Sequence, residues 1–277
     1  MNTLTQSTPT VQNTLTELFV AIDDLIQERR DVGRRPTLSS SECITIILLR
    51  YTFSISNWFA LYNHIRTYHT KDFPTLGSYN SFIRCINANV KRAATLLASF
   101  IHQNRRAHTG IALVDSTPLP VCRNHKIKIC QQAKGVATRG VYSLGWYYGL
   151  KLHLVSDVTG NILACHITSA SVDERDYVRK LLDEFKGIIV ADAGYVSGDL
   201  EKEAAAKGSL LLTGIRKNMK KLCEMWQFHH LQSRIRIETV FSNLKLRLGL
   251  VTSLPRSLNG LLAHYLYVLF AYQFTRS

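Results

Sequence analysis

Acidic residues are few in this sequence relative to basic ones. The 277 residues include 20 Asp plus Glu and 34 Lys plus Arg, which gives a formal net charge of +14 and an isoelectric point near 9.6. An excess of this size creates a positive field over much of the surface and favours a polyanionic partner such as nucleic acid. The alternative is a protein that is basic without such a partner. Charged residues make up 19% and hydrophobic residues 46% of the chain, a globular composition that excludes wholesale disorder.

The chain also lacks a long uninterrupted apolar run. Its two most apolar segments, CITIILLRYTF and LLAHYLYVLFAYQF, are interrupted by Arg50 and His264. Both are shorter than the roughly 18 apolar residues that a membrane span needs. The N-terminal sequence has no charged leader followed by an apolar core, which is the pattern of a secretory signal. We therefore expect a cytoplasmic protein with no membrane partner.

No CxxC motif occurs among the six cysteines, which stand at Cys43, Cys85, Cys122, Cys130, Cys165 and Cys223. This scatter favours reduced cysteines that act as small hydrophobic residues. Cys122, His125 and Cys130 are close in sequence, but a fourth zinc ligand and the usual short cysteine spacing are missing. The sequence therefore gives little support to a zinc site.

The first hundred residues have the apolar spacing of amphipathic helices. We predict helices over residues 11–30, 39–51, 57–69 and 79–104, the second of them opened by a capping box between Ser39 and Glu42. Short helices with basic turns favour a helix-turn-helix unit that binds DNA. A helical scaffold or dimerisation surface is equally compatible with the pattern. We assign residues 1–108 to this helical N-terminal domain.

From residue 110 the apolar pattern becomes that of a mixed α/β domain, which we assign to residues 109–277. The run IALVDSTPLPV predicts a strand, and the next two runs, GWYYGLKLHLVSD and NILACHITSAS, predict a hairpin around residues 157–160. A helix, a strand, a helix, a strand, a long helix over about 233–248 and a closing C-terminal helix follow. This succession predicts an α/β fold class with an RNase H-like mixed sheet flanked by helices.

Two acidic residues end strands that are otherwise apolar. Asp115 follows Ile111–Val114, and Asp192 follows Ile188–Ala191. A carboxylate at the mouth of a buried strand costs several kcal/mol unless something compensates its charge. A shared divalent cation would do so, and oxygen ligands favour Mg²⁺ or Mn²⁺ over zinc. The alternative is that both acids only cap local turns.

Glu238 is the third acid that a pair of hard cations would need for phosphoryl transfer. It lies in the predicted helix RIRIETVFSNLKLRLG, at the border of an apolar face that contains Ile237 and Phe241. Arg234 stands one turn earlier and Lys245 two turns later, where both could hold backbone phosphates. The alternative is an ordinary ion pair between Arg234 and Glu238 on a solvated face.

These motifs resemble those of bacterial insertion-sequence transposases of the DDE superfamily. VDSTPL resembles the first-Asp strand, GWYYGLKLHLVSD and NILACHITSASVDERD resemble the second and third strands, and ADAGYVSG resembles the second-Asp strand and turn. The R-x3-E-x6-K pattern of Arg234, Glu238 and Lys245 matches the third-acid helix of one large branch. That branch usually has a Tyr three residues before the Arg, where this chain has Leu231. The resemblance covers about 110–250 strongly and the N-terminal helices more weakly.

The resemblance implies a chemistry and a set of partners. Asp115, Asp192 and Glu238 would be the catalytic residues and would coordinate two Mg²⁺ ions, for which Mn²⁺ may substitute. Hydrolysis would expose the 3′ ends of the mobile element, and strand transfer would join them to target DNA. The partners would be double-stranded DNA, at the terminal inverted repeats and the target, and further copies of the chain in a dimer or larger assembly. A bacterial, nucleoid-associated location would follow.

Further residues have weaker assignments. Arg234 and Lys245 would orient phosphates, with additional electrostatic contacts to DNA from Lys151, Arg216, Lys217, Lys220 and Lys221. We expect Trp146, Tyr147 and Tyr148 to pack in the core, the alternative being that they stack on an unpaired base. We expect His153 and His166 to be sheet residues, and we assign no metal to Asp173 and Asp176, since acids are favourable at a helix N-terminus.

Two other functions share parts of this pattern. A nuclease of the same fold would hydrolyse nucleic acid without strand transfer. A DNA-binding regulator with a decayed catalytic centre would bind the element ends without cutting them.

Overall fold

The computed structural model describes residues 11–26, 37–143, 145–214 and 224–276. The chain divides into two compact units, Met1–Leu96 and Leu97–Ser277. The division falls inside the helix Val90–Ala107, whereas the domain limit predicted at residues 108 and 109 lies just after the end of that helix. Nowhere in the described ranges is there a helix of the length and apolar character needed to cross a membrane.

The N-terminal unit is helical, as predicted. Its described helices are α1 (Val11–Ile26), α2 (Ser40–Thr52), α3 (Trp58–Tyr68), α4 (Tyr79–Ala88) and the first part of α5 (Val90–Ala107). The predicted capping box is confirmed, because the Ser39 hydroxyl accepts from the Glu42 backbone amide and the Glu42 carboxylate accepts from the Ser39 amide. Ten of the residues of α2 from Ser41 to Tyr51 are buried, so this helix forms the centre of the unit.

The prediction of one helix over residues 79–104 is wrong at its middle. The chain leaves the helix at Asn89, where α4 ends, and α5 begins at Val90. The Asn89 side chain donates to the Cys85 carbonyl at 3.0 Å. A local bond of this kind competes with the helical backbone pattern and explains why Asn interrupts the helix.

The C-terminal unit contains a six-stranded mixed sheet flanked by helices, which confirms the predicted RNase H-like fold class. Its strands are β1 (Ile111–Cys122), β2 (Thr138–Tyr142), β3 (Gly145–Ser156), β4 (Ile162–Ser169), β5 (Ile188–Ala191) and β6 (Leu210–Thr213). The order is β2-β3-β1-β5-β6, and β4 also pairs with β3. β1 and β3 are antiparallel, whereas β1, β5 and β6 are parallel neighbours.

The helices of this unit complete the α/β succession. They are α6 (Glu174–Glu184), α7 (Gly198–Ala206), α8 (Met225–Gln232), α9 (Ile235–Ser242) and α10 (Leu258–Phe274), with 3-10 helices at Asn124–Ile129 and Ala193–Tyr195. Apolar residues of α6 and α7 pack on β1 and β5 in one cluster that includes Val114, Val178, Leu182, Ile189 and Leu200. The predicted long helix over about 233–248 is α9 followed by a π-helical segment, Asn243–Arg247, which we call the π turn.

The predicted hairpin and closing helix are both present. Asp157 accepts from the backbone amides of Thr159 and Asn161, which holds the turn between β3 and β4. In α10, which is apolar nearly all round, the buried Gln273 side chain accepts from the Ile162 amide at 2.9 Å. The closing helix therefore fastens the start of β4 and completes the core behind the sheet.

Candidate active site

Asp115 and Asp192 lie side by side at the ends of two parallel strands. The register pairs Val114 of β1 with Ala191 of β5, so the residues that follow them occupy neighbouring positions across an interstrand spacing of about 4.8 Å. Asp115 Oδ1 accepts from the Ser116 amide at 2.8 Å, and Asp192 Oδ1 accepts from the Ala193 amide at 2.6 Å. The apolar residues that build the strands thus bring the two carboxylates together, and each also makes the local turn contact considered above.

Arg234 joins the third acid to this pair. It stands at the start of α9, where its Nη1 donates to Asp192 Oδ1 and its Nη2 donates to Glu238 Oε1 at 2.9 Å. Burial opposes the charge of the guanidinium, but the ion pairs with Glu238, Asp192 and Asp115 prevail and raise the pKa of Arg234. The ordinary helical ion pair is therefore present, and it is one half of a bridge between Asp192 and Glu238.

Burial and neighbouring carboxylates oppose the negative charge of Asp115. Burial raises its pKa to about 6, and the nearby carboxylates of Asp192 and Glu174 act in the same direction. The Ser116 amide and the Arg234 guanidinium lower it by smaller amounts. An aspartate in this environment is only half ionised at about pH 6, so a cation near it would be strongly favoured.

Lys245 extends the site from the other end of the third-acid helix. Burial lowers its pKa, while the interaction with Asp115 acts in the opposite direction. Lys245 lies in the π turn between the buried Leu244 and the exposed Leu246. A π-helical segment inserts extra backbone into a helix and is frequent at functional sites. Here it sets the direction of the lysine relative to Glu238 two turns before.

Glu174 is an acid that the sequence analysis did not single out. As the first residue of α6, it accepts from the Ser116 hydroxyl at 2.6 Å and pairs with Lys151 Nζ at 3.2 Å. Lys151 is largely buried and also donates to the Val172 carbonyl. Lys151, which was predicted to contact a DNA phosphate, therefore forms an internal ion pair with Glu174 in this structure. Glu174 in turn is bonded to Ser116, the residue that follows Asp115. The acid-rich sequence DERD indicated a helix start, but not which of its acids would turn inward.

The other acids of that helix start face solvent. Asp173 pairs with Arg175, and Asp176 pairs with Arg179 at 3.0 Å. His153 is buried in β3, where its Nε2 lies 2.9 Å from the Thr168 hydroxyl and burial lowers its pKa to about 4. His153 and His166 are paired across β3 and β4, as expected of sheet residues.

The expectation for the aromatic run is confirmed for Tyr147 and wrong for Trp146. Tyr147 is buried, whereas Trp146 is 66% exposed. The two residues alternate along β3, and Trp146 points away from the core because its neighbour points in. The predicted DNA contacts Arg216, Lys217, Lys220 and Lys221 lie outside the described residues.

The three carboxylates have the chemistry that a hard divalent cation requires, but in this structure they do not surround a common point. Asp115, Asp192 and Glu238 offer only carboxylate oxygens, the ligands that Mg²⁺ and Mn²⁺ prefer. Among the described residues no group of three acidic, His or Cys side chains has the geometry of a metal site. The Arg234 guanidinium lies between two of the carboxylates and provides the positive charge there.

The family model described as "Transposase DDE domain" matches residues 105–256. The chain belongs to this family of DDE transposase domains. The matched range begins at the end of α5, ends before α10 and includes Asp115, Asp192 and Glu238. This match agrees with the resemblance noted in the sequence. None of the curated proteins compared matches the chain.

Solved transposase structures share distant similarity with the chain. A piggyBac transposase synaptic complex with hairpin DNA is 15% identical, with a TM-score of 0.40; the match covers 76% of this chain and 49% of that one. The chain thus spans about half the length of the piggyBac structure. A Mos1 transposase paired-end complex with the left transposon end is 9% identical (TM-score 0.23, 87% of each chain). A Mos1 mariner paired-end complex with Mn is 10% identical (TM-score 0.24, 88% and 89%).

Proposed function

We propose that this DDE transposase cuts DNA to expose the 3′ ends of a mobile element and joins them to target DNA at a site formed by Asp115, Asp192 and Glu238. One observation carries the proposal. The register of β1 and β5 sets Asp115 beside Asp192, and Arg234 links Asp192 to Glu238. All three acids fall within the range matched by the transposase family.

The three carboxylates would hold Mg²⁺, or Mn²⁺ in its place, once the Arg234 guanidinium turns from them towards a DNA phosphate. Bound divalent cations supply a lowered pKa for the attacking hydroxyl and a counter-charge for the leaving oxygen. Arg234 and Lys245 carry the remaining positive charge of the site and would orient the phosphate for in-line attack. In hydrolysis the incoming oxygen belongs to water, and in strand transfer it belongs to the 3′-hydroxyl just exposed.

The partners follow from this reaction. Double-stranded DNA would be bound at the terminal inverted repeats and at the target, and two ends would be held by a dimer or larger assembly. Light scattering of the chain with and without a terminal-repeat duplex tests the assembly, and a DNA complex that holds only one copy of the chain would contradict it.

Cleavage of a labelled duplex that carries the flanking ends of its own gene tests the reaction. We expect nicking at the element ends with Mg²⁺ and none in its absence. Asp115→Asn should abolish the nicking, whereas Asp199→Asn, an exposed acid of α7, should retain it. Products joined to a second DNA would establish strand transfer. Cleavage without joining would favour a nuclease, and tight binding of the ends without cleavage in any divalent metal would favour a regulator.

A further inference from the structure

A second cleft lies at the far end of β1 from Asp115. Two adjoining cavities of about 890 and 490 Å³ share Val121, Cys122, Arg123 and Ser253 in their walls, so they form one continuous depression. Its walls are the end of β1, the 3-10 helix Asn124–Ile129, the start of β3 and the loop 251–256. We call this depression the distal cleft. Pro120, the lining residue of β1 nearest to Asp115, lies five residues further along the strand, a distance of about 17 Å.

The distal cleft is lined by positive charge without a counter-charge. Arg123, Lys126 and Arg256 line it, and among the described residues no Asp or Glu does. None of these three cations forms an ion pair with any residue that the structure describes. The segments that build the cleft explain this, because the sequence contains no acidic residue between Asp115 and Asp157 and none after Glu238.

The opposite situation holds around α6 and α7. Arg175, Arg179 and Lys207 are each paired with one or more carboxylates of these helices. Acidic residues of the C-terminal unit are thus concentrated in and next to α6 and α7, where they neutralise these cations. The cations of the distal cleft are left for a ligand from outside, and that ligand must be an anion or a polyanion.

Trp146 gives the distal cleft a stacking surface. It lines the smaller cavity together with Tyr142, and 66% of its surface is exposed. The backbone there is held firmly, since Trp146 pairs with Val141 across β2 and β3 and its carbonyl accepts from the Asn124 side chain at 2.8 Å. A site for single-stranded nucleic acid combines cations that contact the phosphate backbone with an aromatic face on which the bases stack.

We propose that the distal cleft binds an unpaired strand of DNA, with phosphates at Arg123, Lys126 and Arg256 and a base stacked on Trp146. The proposal rests on the function in DNA transposition given above, and it adds a site for single-stranded DNA that is separate from the three carboxylates. Because β1 runs from Asp115 into the cleft, a strand that is opened near the carboxylates would reach the cleft within a few nucleotides.

Fluorescence anisotropy with a labelled 15-nucleotide oligothymidine tests the electrostatic half of the proposal. The full chain carrying Asp115→Asn is used in EDTA, so that neither metal nor cleavage enters the result. We expect the combined variant Arg123→Gln, Lys126→Gln and Arg256→Gln to bind at least tenfold more weakly. The slope of log K against log salt should fall by about 2, since each phosphate contact on a single strand contributes about 0.7.

The matched control removes the same charge elsewhere. The combined variant Arg175→Gln, Arg179→Gln and Lys207→Gln also lowers the net charge by three, but we expect its affinity for the oligonucleotide to change less than twofold. Equal losses in the two triple variants would overturn the proposal, because they would show a response to net charge alone. A blunt duplex bound as tightly as the oligonucleotide, with the same sensitivity to the cleft variant, would also overturn it in favour of duplex binding.

Tryptophan fluorescence tests the stacking half. Oligothymidine should quench the emission of the chain, and the quenching should be lost in Trp146→Phe but kept in Trp226→Phe, a matched change on α8. Quenching that persists in Trp146→Phe would overturn the stacking. Both measurements are independent of catalysis, so loss of DNA cleavage in the assay of the proposed function would leave them interpretable.

Discussion

At the scale of single residues, Asp115 shows a conflict between stability and chemistry. Its position at the mouth of a buried strand raises its pKa to about 6, because the ionised form loses hydration and gains no full counter-charge. In the unfolded chain the pKa would be near 3.8. Ionised Asp115 therefore disfavours folding above pH 6, and this effect disappears below about pH 4, where both states are protonated.

We therefore expect Asp115→Asn to stabilise the metal-free protein at pH 7.5, by on the order of 2 kcal/mol. The gain should shrink as the pH falls from 6 to 4. Denaturant unfolding at several pH values in EDTA measures it. Addition of Mg²⁺ should raise the melting temperature of the wild-type chain more than that of the variant, because the cation binds only the folded carboxylates. A variant that is less stable at pH 7.5 would contradict this account of Asp115.

Arg234 supplies the positive charge that a metal would otherwise supply. Removal of the guanidinium in Arg234→Gln frees Asp192 and Glu238. We expect Mg²⁺ to bind about two- to thirtyfold more tightly, since two ion pairs of about 0.2–1 kcal/mol each are lost. DNA cleavage should nevertheless fall at least tenfold, since the phosphate contact is lost. Calorimetric titration with Mg²⁺ and single-turnover cleavage measure the two effects.

Arg236→Gln is the matched control for this prediction. Arg236 lies two residues further along the same helix and is exposed, so both the metal affinity and the cleavage rate should stay near the wild-type values. Weaker Mg²⁺ binding in Arg234→Gln would mean that the arginine positions the carboxylates for the metal and does not compete with it.

At the scale of secondary structure elements, the pairing of β1 with β3 depends on Gly149. A Cβ at this position would overlap the Leu119 carbonyl oxygen and lie 3.0 Å from the Pro120 Cα, and neither backbone atom can move without opening the strand pair. We expect Gly149→Ala to cost about 2–4 kcal/mol in unfolding free energy. Gly198→Ala, at the first position of α7 with open space around it, should be neutral or stabilising by less than about 1 kcal/mol.

Urea unfolding of both glycine variants measures the difference. Gly149→Ala should lower the midpoint without a large change in slope, which would indicate loss of stability in a fold that is otherwise retained. A midpoint equal to that of Gly198→Ala would show that β1 and β3 separate at little cost near the distal cleft.

The elements that the sequence predicted well are those with strong periodicity. Continuous apolar runs ending in Asp115 and Asp192 indicated two core strands, and the parallel register of β1 and β5 then brings the acids together. Helical spacing around Glu238 likewise indicated the third-acid helix. These patterns are local consequences of burial, so they can be read before the tertiary structure is known.

The features that were missed depend on tertiary contacts. The inward turn of Glu174 becomes visible only when β1 brings Ser116 against α6. Strand β2 is short and half exposed, so its sequence shows no clear strand pattern. It is held as a strand by its pairing with β3. The exposure of Trp146 follows from the direction of β3, since a shift by one residue would have buried it and exposed Tyr147.

At the scale of the whole molecule, the charge is distributed unevenly along the chain. The segments 116–156 and 239–277 contain ten Lys plus Arg and no Asp or Glu, so they supply +10 of the net charge of +14. Cations on α6 and α7 form ion pairs, whereas those of the distal cleft form none within the described residues. Among the described residues, the cations of the distal cleft are therefore unpaired groups that repel one another, whereas Arg175, Arg179 and Lys207 are neutralised by ion pairs.

This distribution predicts how salt affects stability. Screening of repulsion among unpaired cations stabilises the folded state, whereas screening of ion pairs destabilises it. We expect the first effect to dominate, so that KCl between 50 and 300 mM raises the melting temperature by on the order of a few degrees. The triple variant of Arg123, Lys126 and Arg256 should melt higher in low salt and respond less to KCl, because it has lost repulsion. The triple variant of Arg175, Arg179 and Lys207 should melt lower, because it has lost ion pairs. A wild-type melting temperature that falls as KCl is added would instead show that ion pairs outweigh repulsion.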